Sequence, residues 1–73
     1  MKKDKDLELV QVLMQDSEAK INLAIMNASI LLKNPVGVGD HPNIMETIQE
    51  QLDVISKHKD RLSTLMEYFY EEE

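Results

Sequence analysis

Cysteine is missing from this sequence, and with it any disulfide or thiolate metal site. Two histidines remain as possible nitrogen ligands, His41 and His58. Neither stands at ligand-like spacing from other candidate ligands, so no metal and no cofactor is expected. Glycine and proline number two each, and all four lie between positions 35 and 42. Basic residues are in the minority, eight against fourteen acidic, for a net charge of −6. That balance argues against nucleic-acid binding, which needs a basic surface to displace counterions. Even the small group Lys57, Lys59 and Arg61 is interleaved with Asp53 and Asp60. Long apolar runs are lacking too. The longest, Leu23 to Met26 and Ile30 to Leu32, are far too short to cross a bilayer. Lys2, Lys3 and Lys5 lead into an acidic amphipathic segment rather than a signal peptide. The expectation is a soluble cytoplasmic protein with no membrane partner.

What is present is helical periodicity. From Leu7 to Leu32, with neither proline nor glycine, one apolar stripe reads Leu7, Val10, Met14, Ile21, Ala24, Ala28, Leu31. A second, offset around the cylinder, reads Leu9, Leu13, Leu23, Ile30. Together they cover well over half the circumference, more than the stripe of about 100° that an ordinary surface helix buries. Gln11, Gln15, Glu18, Asn22 and Ser29 mark the wet face. Pro35 stops this helix near Asn34. Asp40 is the preferred cap of the next helix, with Pro42 in its first turn and Asn43–Glu46 as the competing capping box. The second helix carries a narrower stripe, Ile44, Ile48, Leu52, Ile55, Leu62, Leu65, Met66 and Phe69, close to a heptad.

The sequence therefore predicts one all-α domain spanning 1–73, with helix 1 at about 6–33, a loop at 34–40 and helix 2 at about 41–70. So short a connection makes the helices antiparallel neighbours. The lysines at the start and Glu71, Glu72 and Glu73 at the end would then attract one another, unless both ends fray. A chain of this size rarely buries enough to be stable alone. The over-wide apolar arc of helix 1 supplies the remedy. The hairpin is expected to assemble into a homo-oligomeric helical bundle, a dimer or a higher even number.

Three groups of residues are candidates for function. His58 and Lys59 interrupt the stripe of helix 2 where Ser17 and Lys20 interrupt that of helix 1. A polar layer setting register is the preferred reading. His58 is expected to pair with Asp16 or Glu18, which would raise its pKa, and the alternative to a register role is that this His–acid pair acts as a pH switch or ligand contact. The loop residues Gly37, Gly39, Asp40, His41 and Asn43 form the second group. They could hold an anion at a helix amino end, although neither the dinucleotide fingerprint nor the P-loop is present and Asp40 would repel phosphate. A plain connector is the preferred alternative. The third group is the outer stripe Leu9, Leu13, Leu23 and Ile30 with the terminal aromatics Tyr68 and Tyr70, as interface residues. Phe69 continues the core stripe, and the methionines Met14, Met26, Met45 and Met66 are adaptable core filler. No nucleophile has a base at meaningful spacing, so no catalytic residue and no enzyme activity is expected.

The loop Asn34-Pro35-Val36-Gly37-Val38-Gly39-Asp40-His41-Pro42-Asn43, followed by an acidic amphipathic helix, resembles small proteins of tailed, T4-like bacteriophages. The likeness extends weakly into both helices and brings no catalytic residues with it. It implies a viral protein acting in the host cytoplasm by binding. The leading expectation is a host protein as partner, in the manner of an anti-defence factor. The alternatives are a sponge for a nucleotide-derived immune signal, such as a cyclic dinucleotide or ADP-ribose derivative, and a virion or assembly accessory.

Overall fold

The chain's computed structural model describes residues 2–34 and 41–70, with side chains described for 7–34 and 43–70. Two helices make up all of it: α1, Lys2–Lys33, and α2, His41–Tyr68. α1 begins about four residues before the sequence places it, since Lys2 to Asp6 contains no proline or glycine to interrupt a helix, although its lysines oppose the dipole. At its other end the Asn34 amide donates to the Ile30 carbonyl at 2.9 Å, and Lys33 favours the negative end of the dipole. α2 is described from His41, and its ladder closes with the Phe69 amide on the Leu65 carbonyl at 2.9 Å. Terminal turns fray, which accounts for the end two residues short of the expected limit. Asp40, Gly37 and Gly39, and the glutamates Glu71–Glu73, lie outside the described residues, as do the side chains of Lys2, Lys3, Lys5, His41 and Pro42.

The helices pack against each other along their length as a hairpin 54 × 15 × 15 Å. Its radius of gyration is 16.4 Å, whereas a globular chain of this length would have about 11 Å. All interior therefore lies on one seam. On α1 the protected positions are 7, 10, 14, 17, 21, 24, 28 and 31, alternating steps of three and four. They include every member of the first stripe read from the sequence. On α2 they are 44, 48, 51, 55, 58, 62 and 65, with Ser29, Thr47, Val54 and Tyr70 partly covered at the margins. This is the heptad geometry of an antiparallel coiled coil. Three expected members of the α2 stripe do not belong to it. Leu52, Met66 and Phe69 are more than half exposed, and the seam takes Gln51 and His58 instead. One residue along a helix is a rotation of about 100°, so Leu52 beside Gln51 points away from α1.

Only Ala24, Ala28 and Ile44 are buried among the described hydrophobic residues. The two alanines let the backbones approach closely at that level. Near them the Asn27 amide donates to the Gln51 side-chain carbonyl, at a long 3.4 Å, tying one helix to the other. Of the methionines expected as filler, Met14 is partly buried, whereas Met26, Met45 and Met66 are exposed. A two-helix seam has too few positions to take them. No helix among the described residues is long and apolar enough to cross a membrane.

Candidate functional site

The mid-length polar layer exists, but it is smaller than the sequence suggests. Ser17 is wholly buried and His58 is 5 % exposed. Lys20 and Lys59 are both exposed and take no part in the seam. Long ammonium side chains keep their heads in water when a route to solvent is open. His58 stands against the turn of α1 that carries Asp16, Ser17 and Lys20, as the hairpin geometry predicts, since the charges of Asp16 and Lys20 both act on it. Asp16, however, gives its charge to its own helix. Lys20 Nζ donates to Asp16 Oδ2 at 3.0 Å, an i,i+4 pair with both side chains about half exposed.

That arrangement overturns the expected His–acid pair. The His58 pKa is lowered from its ordinary value, first by burial and then by the positive charges of Arg61, Lys20 and Lys57. Asp16 pulls the other way and does not prevail. Its surroundings therefore favour the neutral ring. Its Nδ1 and the Ser17 hydroxyl oxygen are buried with no hydrogen-bond partner in the hairpin. A buried polar atom without a partner costs stability. Removing one should help the fold. We expect Ser17→Ala to raise stability by about 1 kcal/mol, since it deletes an orphan hydroxyl and installs a better helix former. Equilibrium urea unfolding measures this, and a loss of stability would mean that the hydroxyl is satisfied in the folded protein.

Of the loop group, only Asn43 has a described side chain, and it sits in the first turn of α2. Its carbonyl accepts from Thr47 Oγ1 at 2.6 Å, an ordinary back-bond within the helix. A shallow, open hollow on the outer face of α2 is lined by four polar residues, Ser56, Lys59, Asp60 and Ser63, none of which is buried. Among the described residues no three His, Asp or Glu side chains stand where they could share a metal ion.

The outer stripe is the feature the structure brings out most. Leu9, Leu13, Leu23 and Ile30 are each more than half exposed on a side of α1 that α2 does not cover. Val12, Ile25, Met26 and Leu32 add to the exposed apolar surface of the same helix. Met26 was read as core filler, and Val12, Ile25 and Leu32 were not singled out in the sequence because they belong to neither regular stripe. On α2, Met45, Leu52 and Met66 share one heptad position, with Lys59 in the intervening place, and form a further exposed row. Tyr68 is exposed and meets Phe69 edge-on, with ring centroids 6.5 Å apart, while Tyr70 is partly buried. Comparison of the chain with family models, with curated proteins and with solved structures finds no match in any of the three.

Proposed function

We propose that this chain is a non-catalytic helical hairpin that self-associates and acts by binding a partner protein. One observation carries the reading. Among the described residues thirteen large apolar side chains are exposed by 47–69 %, against three hydrophobic residues that are buried. Covering a Leu or Ile fully is worth roughly 1.5–3 kcal/mol. A few such residues, once covered, supply stabilisation comparable to the whole net stability of a small domain. Even-numbered association, giving a four-helix bundle or a multiple of one, closes this exposed surface most simply.

A phage origin, which the loop suggests, makes a host protein the natural second partner and the host cytoplasm its setting. Part of the exposed surface then serves self-association and part remains for the partner. Size-exclusion chromatography with light scattering at micromolar concentration tests the first half. The expected mass is an even multiple of 8.4 kDa, and a folded monomer overturns the reading. Capture from host lysate with the wild-type chain and with Leu52→Lys tests the second. A host protein retained by the first and lost by the second, with the oligomer intact, is the expected outcome.

A further inference from the structure

We infer that the outer stripe of α1 is the contact with a second copy of this chain, whose α1 lies alongside it antiparallel and in one defined register. The inference rests on the self-association proposed above and goes further by naming surface, direction and register. Positions 9, 13, 16, 20, 23, 27 and 30 alternate steps of four and three, the same rhythm as the seam that faces α2. α1 therefore carries two parallel heptad strips, one occupied and one open. The open strip reads Leu9, Leu13, Asp16, Lys20, Leu23, Asn27, Ile30. Its charged pair stands at its centre, with leucine on either side.

This order is complementary to itself when reversed. In an antiparallel pair about a two-fold axis, each contact is repeated with the roles exchanged. Centre the axis between Asp16 and Lys20, and Leu13 meets the partner's Leu23 while Asp16 meets the partner's Lys20. The symmetric copies of both contacts then follow, and the two i,i+4 ion pairs merge into one four-charge cluster flanked by leucine. Leu9 meets the partner's Asn27, the weakest layer. Sliding the partner by one heptad sets Lys20 against either the partner's Leu23 or the partner's Leu9. Parallel, in-register pairing sets Asp16 on Asp16 and Lys20 on Lys20. Only the antiparallel register gives each central charge its opposite and keeps leucine on leucine. Charge and apolar matching thus select one occupant and one arrangement.

The absence of cysteine makes the test direct. Leu13→Cys and Leu23→Cys each place one thiol on the strip, at positions exposed by 51 % and 63 %, so the hairpin itself loses little packing. Oxidised together, the two variants should give the mixed disulfide as the main product, with both self-linked dimers nearly lost. A disulfide needs Cα atoms within about 7 Å, which the antiparallel register provides only across the two different positions. Leu13→Cys linking readily to itself would establish a parallel pair and overturn the inference. A second arm reads the charges. Lys20→Asp and Asp16→Lys should each lose the dimer at concentrations where wild type retains it, and mixing them should restore it. Circular dichroism on each variant separates lost association from lost helix. A dimer that survives Lys20→Asp alone overturns the register while leaving self-association standing. A wild-type chain that is monomeric overturns both.

Discussion

Ala24→Leu is expected to destabilise the hairpin by about 1–3 kcal/mol, the usual cost of forcing extra carbon atoms into a packed contact. For a chain of this size each kcal/mol corresponds to roughly 4–8 °C in melting temperature, measured at fixed protein concentration because association shifts it. The effect is large because the close approach of the two backbones depends on residues no bigger than a methyl group. Ala24 is 2 % exposed, and Ala28, one turn further on, is nearly as well covered. Leucine at 24 would point into the seam and press α2 outward, and the nearby Asn27–Gln51 bridge, already long at 3.4 Å, is expected to be lost first. Ala19→Leu is the control. Ala19 faces solvent, so its replacement should change stability by about 0.5 kcal/mol or less. An Ala24→Leu variant that melts at or above the wild-type temperature would show that the helices do not meet closely there.

The second large effect is set by His58. Replacing it with leucine should raise the melting temperature by several degrees at neutral pH and remove a weakness in mild acid. The sign follows from linkage. The folded pKa lies below the unfolded value of about 6.5, so between the two values the unfolded chain binds more protons than the folded one. Above that window the shifted pKa adds no further cost, and only the unpartnered Nδ1 of the neutral ring remains against the fold. Stability falls as pH drops from about 6.5 through the folded pKa and then levels off as far as this residue is concerned. Carboxylates titrate in the same direction further down, so the difference between wild type and His58→Leu, scanned from pH 8 to about 5, isolates the histidine. A wild-type protein more stable in mild acid than at neutrality, relative to the variant, would restore the His–acid pair. An altered or mixed oligomer in the variant would show in addition that the polar layer sets register.

The hairpin and one of its two faces were legible in the sequence because apolar residues alone mark them. Leu7, Val10, Met14, Ile21, Ala24, Ala28 and Leu31 lie where the alternation of three and four places them, and the open strip of α1 was equally plain. The face of α2 was not, because its seam is partly polar. Reading for apolarity chose Leu52 where geometry places Gln51, and passed over His58 as an interruption when it is a member. The direction of the His58 shift was hidden for a different reason. Opposition across the hairpin brings Asp16 near, but whether its charge is available depends on which rotamer Lys20 adopts. In the structure the lysine takes it. The sequence also contains both solutions for Lys59, in the seam or in water, and only the packed helices choose between them.

The elongated shape has a consequence for motion. A rod 54 Å long and 15 Å wide spins easily about its long axis and turns end over end slowly. Viscous drag against spinning grows with the square of the width, and drag against end-over-end turning chiefly with the cube of the length. A companion laid along the flank widens the rod without lengthening it. It therefore brakes the spin far more than the tumble, and holds whatever remains uncovered, including the row Met45, Leu52 and Met66, at a steadier azimuth toward the solution.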